Sequence, residues 1–265
     1  MKKYLMLALT GLLFVACGGS DDEVLPEPTP EPKFENQTFT AGGVTFTMVA
    51  VEGGTFTMGE PDSDTDAELD EKPQHAVTLS DFYIGETEVT QALWKTVMGN
   101  NPSYFEGDKL PVEKVSWEDC QKFITKLNEM TGQTFRLPTE AEWVYAALGG
   151  NKSQGCKYSG SNDINIVAWY KINSGSTTHE VGTKIANELG IFDMSGNVME
   201  WCQDWYGEYS SEAQTNPTGP ETGSGRVLHG GTWKSVASTC RLANRQDFYP
   251  EYSSSNIGLR LAMSK

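Results

Sequence analysis

Arg136-Leu137-Pro138-Thr139-Glu140-Ala141-Glu142-Trp143 is followed by Asp193-Met194-Ser195-Gly196-Asn197-Val198-Met199-Glu200-Trp201, then by Gly230-Gly231-Thr232-Trp233, and last by Asn256-Ile257-Gly258-Leu259-Arg260. Thr139 and Glu142 form a capping box that opens a short helix through Leu148. Working outward, Ser116 and Asp119 predict a second capped helix through about Met130, and Thr90 caps another through about Met98. Val44 to Val51, Thr55 to Met58 and Ala76 to Ile84 carry strand patterning. Past Gly149 the periodic signals fade, and glycine, serine, asparagine and threonine dominate. Pattern alone therefore predicts an α+β, loop-rich chain whose main helices lie near its middle.

Gly53-Gly54-Thr55-Phe56-Thr57-Met58-Gly59 and Glu86-Thr87-Glu88-Val89-Thr90 precede these four blocks. In this order the six resemble the formylglycine-generating (sulfatase-modifying factor) enzyme family, over roughly Gly43 to Ala262. The resemblance implies a C-type-lectin-like formylglycine-generating-enzyme fold: α+β, loop-rich, with two main helices and short twisted antiparallel strands. It implies that 37–265 is one such domain.

Active members of that family oxidise a substrate cysteine with oxygen at copper(I) held by two thiolates, five and ten residues after the first glycine of the Gly-Gly block. Here those positions are Ser235 and Cys240. Anchoring instead on Arg241-Leu242-Ala243-Asn244-Arg245 needs a gap of about three residues, and either alignment leaves one thiol. Copper(I) prefers soft sulfur and a hydroxyl does not replace it, so copper is not expected and the site reads as degenerate. Because the segments around Trp201 and Trp233 lie close together in the family fold, the resemblance also implies a disulfide between Cys202 and Cys240. A family calcium site maps onto side-chain oxygens of Asp193 and Glu200 and the carbonyls of Gly196 and Val198, hard oxygen donors suited to that ion.

Between two framework blocks, Asp247-Phe248-Tyr249-Pro250-Glu251-Tyr252 leads into three serines. Rigid amphipathic rings beside small hydroxyls are the mixture binding loops use. With Trp233, Lys234 and Ser235, residues Asp247, Phe248, Tyr249, Glu251 and Tyr252 form the candidate ligand-binding set. These stretches also resemble the C-terminal variable region of retroelement-diversified lectin-fold proteins. Trp143, Trp169, Trp201, Trp205 and Trp233 are expected in the core, and Arg136, Glu140 and Glu142 in helix capping and a buried ion pair. Glu60 to Asp66 reads as a solvated acidic loop, since Ala67 and Pro73 stand where a calcium loop needs glycine and glutamate.

At the start, Lys2 and Lys3 precede an apolar run from Leu5 to Ala16 and Phe14-Val15-Ala16-Cys17. This pattern, too short to span a bilayer, predicts a lipoprotein signal and lipobox over 1–17 with Cys17 as the lipidated residue. Alternating proline and acid over 18–36 predicts an extended linker. The expected place is the outer membrane, surface-exposed, with the lipid as the membrane contact. Net charge is −16; Lys2 and Lys3 carry +2 and residues 18–36 carry −5, which leaves −13 on the domain. That balance argues against nucleic acid. Three histidines and no Cys-x-x-Cys pair argue against zinc.

The sequence thus predicts a surface-tethered, non-catalytic ligand-binding or display module for a protein or glycan. A formylglycine-generating oxidase and a structural component of an envelope secretion or motility assembly are the alternatives.

Overall fold

Thr90, Ser116 and Thr139 each accept the backbone N–H three residues on, and in the latter two cases the N3 carboxylate returns to the cap's own N–H. The computed structural model describes residues 34–265. These caps open α1 (Gln91–Met98), α2 (Trp117–Thr131) and α3 (Glu140–Ala147), and a one-turn α4 (Ile164–Val167) follows. Gly99 and Gly132 end α1 and α2 in the left-handed conformation that glycine adopts without strain. The expected signal segment, the lipidation site Cys17 and the linker up to residue 33 lie outside the described residues.

The strands are, in chain order, β1 (Gln37–Ala41), β2 (Val44–Val51), β3 (Gly54–Met58), β4 (His75–Leu79), β5 (Phe82–Gly85), β6 (Phe135–Arg136), β7 (Met199–Trp205), β8 (Gln214–Thr215), β9 (Arg226–His229), β10 (Arg245–Phe248), β11 (Ile257–Gly258) and β12 (Ala262–Ser264). They form sheets ordered β1-β2-β5-β12-β6, β10-β9-β7-β11 and β3-β4-β8. Most pairs are antiparallel; β7–β11 and β4–β8 run parallel. The single strand expected over Ala76 to Ile84 is instead two strands in different sheets. Asp81 Oδ1 takes the Gly53 N–H at 2.8 Å and Ser80 N donates to Asn216 Oδ1, so the ladder is broken between Leu79 and Phe82.

Every residue of α3 is buried, which makes it the central element. The four framework blocks meet there. Trp143 stacks on His229 at 4.9 Å and donates its indole N–H to Glu200 at 2.6 Å. Glu200 in turn takes two guanidinium nitrogens of Arg260, whose remaining nitrogen and a shared one donate to the Gly85 and Phe192 carbonyls. A buried pair of this kind contributes modestly while intact and costs several kcal/mol when one partner is removed. Trp143 and Trp201 are fully buried as expected, whereas Trp169, Trp205 and Trp233 are half-buried. Those three rings have solvent on one side.

Candidate functional site: a face built on Trp233

Gly230 and Gly231 both have positive φ, and a Cβ on Gly231 would lie 2.7 Å from both Cys240 Sγ and the Thr239 carbonyl. Only glycine fits there. The turn delivers Trp233 onto the central block, where its backbone N–H donates to the Asn197 carbonyl at 2.7 Å. Its indole N–H reaches the Ser255 carbonyl at 3.0 Å, its own carbonyl accepts Ser174 Oγ, and Phe105 meets its ring edge-on at 5.4 Å. Lys171 N donates to the Ser235 carbonyl. Three loops therefore converge on residues 233–235: 101–113, 168–185 and 249–256.

One corner holds two of these loops. Glu113 Oε1 accepts the N–H groups of Tyr104 and Phe105, while the neighbouring Lys114 N–H bonds the Ser254 and Ile257 carbonyls. Around this scaffold lie Tyr104, Ile172, Val236 and Tyr249, each at least half exposed or nearly so, with Tyr249 at 64%. Sequence reading missed Tyr104, Phe105 and Ile172. The signal available was Asn-Pro-Ser-Tyr-Phe-Glu-Gly over 101–107, two rings set among turn formers.

The C-terminal candidates divide. Asp247, Tyr249, Glu251, Tyr252 and Lys234 are exposed, and Ser235 is half-buried with its hydroxyl bonded to the Thr232 backbone and hydroxyl. Phe248 differs from expectation: it packs against the main core cluster and stacks on Tyr252 at 4.5 Å. It anchors the loop, and Tyr249 and Tyr252 are what the loop presents.

Of the two residues expected at the degenerate site, Ser235 and Cys240, only the latter carries a thiol. Cys240 is buried among Tyr158, Ile164, Val167, Ala168 and Tyr170, and burial pushes its thiol up to about 12. Burial in an apolar cluster is the setting of a structural rather than a reactive cysteine. Residues Cys120, Cys156, Cys202 and Cys240 are all free. The disulfide expected between Cys202 and Cys240 is not formed, because Cys202 faces the α3 side of β7 and the two side chains occupy separate apolar clusters.

The block expected to hold calcium is equally committed. Both Glu200 oxygens are engaged by Arg260, and one of them also by Trp143. Gly196 is pressed against Trp169, its missing Cβ lying 2.4 Å from the Trp169 carbonyl, and Asp193 and Asn197 adopt positive φ to make the turn. Asp193 Oδ2 accepts the Gly182 N–H, leaving Oδ1 buried without a partner, as is Glu88 Oε2. Burial raises both carboxyls, Asp193 to about 6 and Glu88 well above its ordinary value, and for Glu88 the neighbouring Asp193 charge adds to the rise. Among the described residues no group of three or more His, Cys, Asp or Glu is placed to hold a metal ion. Of the expected calcium set, Glu200 is shared with Arg260 and Trp143, and Asp193 Oδ1 is the open side-chain oxygen.

Comparison with known proteins agrees with this geometry. The model of the sulfatase-modifying factor enzyme 1-like domain matches residues 35–265. The chain is 37% identical to "Chaperone protein LppX" of Paenibacillus barcinonensis, over 85% of this chain and 93% of that one. It is 28% identical to the formylglycine-generating enzyme of Thermomonospora curvata, over 81% and 92%. Among solved structures it superposes on Treponema denticola variable protein 1 with TM-score 0.80 and 36% identity, covering 89% of this chain and 100% of that one.

Proposed function

The chain belongs to the sulfatase-modifying factor enzyme 1-like family, and within it we propose a non-catalytic role: a ligand-binding module that displays the face around Trp233 to a protein or glycan. The observation that carries this reading is the division of labour on that face. Framework contacts pin Trp233 and Phe248, while Tyr249, Tyr252, Tyr104, Val236 and Ile172 stand exposed around them. Exposed rings on a rigid base suit recognition, since little conformational entropy is lost when they bind. At the place of the family's copper thiolates stand a hydroxyl and a buried, protonated thiol. Similarity to a protein named as variable is consistent with a face whose loops change while the frame persists.

In the same reading the signal-like stretch ending at Cys17 tethers the domain to the outer membrane through a lipid, and the acidic, proline-rich linker holds it away from the surface. The test is a glycan microarray and a displayed-peptide library probed with the purified protein and with Tyr249→Ala/Tyr252→Ala. Ligands selected on the parent should be lost by the variant at unchanged melting temperature. Full retention of binding by the variant would remove the proposal.

A further inference from the structure

A cavity of about 550 Å³ lies between the N-terminus of α3, the end of β7 and the segment 207–220. It shares no lining residue with the Trp233 face, and its size falls in the range of small-molecule sites. Its wall contains a buried charged group whose bonding is incomplete. Asp204 is only 3% exposed, and its Oδ2 accepts the Glu140 N–H at 3.0 Å. Oδ1 accepts no hydrogen bond among the described residues and lies beside the lining residue Gly219, where a Cβ would stand 3.3 Å from it.

The guanidinium in the same wall cannot complete Asp204. Arg245 gives Nε and Nη2 to Glu140, both at 2.8 Å, and Nη1 to the Gly207 and Asp70 carbonyls. Burial, with the Glu140 carboxylate nearby, pushes the Asp204 carboxyl up to about 8 against the opposing pull of Arg245. A buried acid in that condition is stabilised by any positive group that reaches its free oxygen. The cavity that Asp204 lines is also lined by apolar surface from Met58, Tyr209 and Pro217 and by the exposed side chain of Glu208.

We propose that this cavity is a second ligand site, specific for a small organic cation, an amine or guanidinium on a short alkyl stem, whose N–H donates to Asp204 Oδ1. A cation that reaches Oδ1 favours the ionised carboxylate and releases its proton, which sugars and other neutral ligands do not do.

The experiment titrates agmatine, with glucose and pentanol as neutral probes, into the full chain by calorimetry. Agmatine is expected to bind saturably at millimolar concentration or below, and the neutral probes not to bind. Asp204→Asn keeps an acceptor for the Glu140 N–H but removes the charge, and should weaken agmatine by more than about tenfold. Gln214→Lys places a tethered amine on the cavity wall and should block agmatine independently of Asp204. Absence of saturable agmatine binding, unchanged affinity in either folded variant, or equal binding of glucose would overturn the site.

Discussion

At the scale of single residues, the aromatic segment contains two kinds of ring. Phe248 is half-buried and packs against the core, and Tyr249 and Tyr252 are exposed, Tyr252 at 41%. Tyr249→Ala/Tyr252→Ala should therefore change stability by no more than about 0.5 to 1 kcal/mol, whereas Phe248→Ala should cost about 1 to 3 kcal/mol, part of the figure for a fully buried ring. Chemical denaturation separates the two; equal losses would show that all three rings belong to one packed unit. Composition marks this segment as unusual but cannot rank its rings, because burial of Phe248 depends on residues distant in sequence. The same limit applies to calcium. Asp193 and Glu200 are legible as oxygen donors on a tight turn, but Arg260, sixty residues on, takes the Glu200 carboxylate. Millimolar calcium should leave the melting temperature unchanged. A rise of several degrees that disappears in Asp193→Ala would show that the ion displaces Arg260.

At the scale of elements, helix starts are legible because a cap and its N3 partner are local in sequence, and Thr90, Ser116 and Thr139 open the three main helices where expected. The break at Ser80–Asp81 is not legible, since it depends on Gly53 and Asn216 from distant parts of the chain. The start of α3 also carries a pH dependence. Asp204 accepts its first N–H and holds a proton up to about 8, against an ordinary value of 3.8. The folded state thus keeps a proton that the unfolded chain releases near pH 4. This contribution is full at low pH, falls as pH rises from about 4, and is lost above about 8. Asp204→Asn, which cannot ionise, should flatten the stability profile between pH 6 and 8.5, by at most about 1.4 kcal/mol per pH unit. A difference between parent and variant that does not change with pH would mean that Asp204 is ionised throughout.

Across the whole molecule, the four framework blocks are one physical object: Trp143, Glu200, His229 and Arg260, one from each or from its flank, meet in a single buried cluster. That is why their order in sequence was enough to indicate the fold. The loops they carry were only half legible, because Tyr104, Phe105 and Ile172 reach the Trp233 face through Glu113 and Lys171 rather than through any local pattern. On the proposed function, this frame persists without the chemistry of its oxidising relatives. The most direct measurement incubates the purified protein with copper(I), oxygen and a sulfatase-type cysteine peptide beside an active formylglycine-generating enzyme, and follows the peptide by mass spectrometry. Unchanged cysteine is expected with this protein while the control converts it to formylglycine. Copper-dependent conversion that is abolished by Cys240→Ala would contradict it.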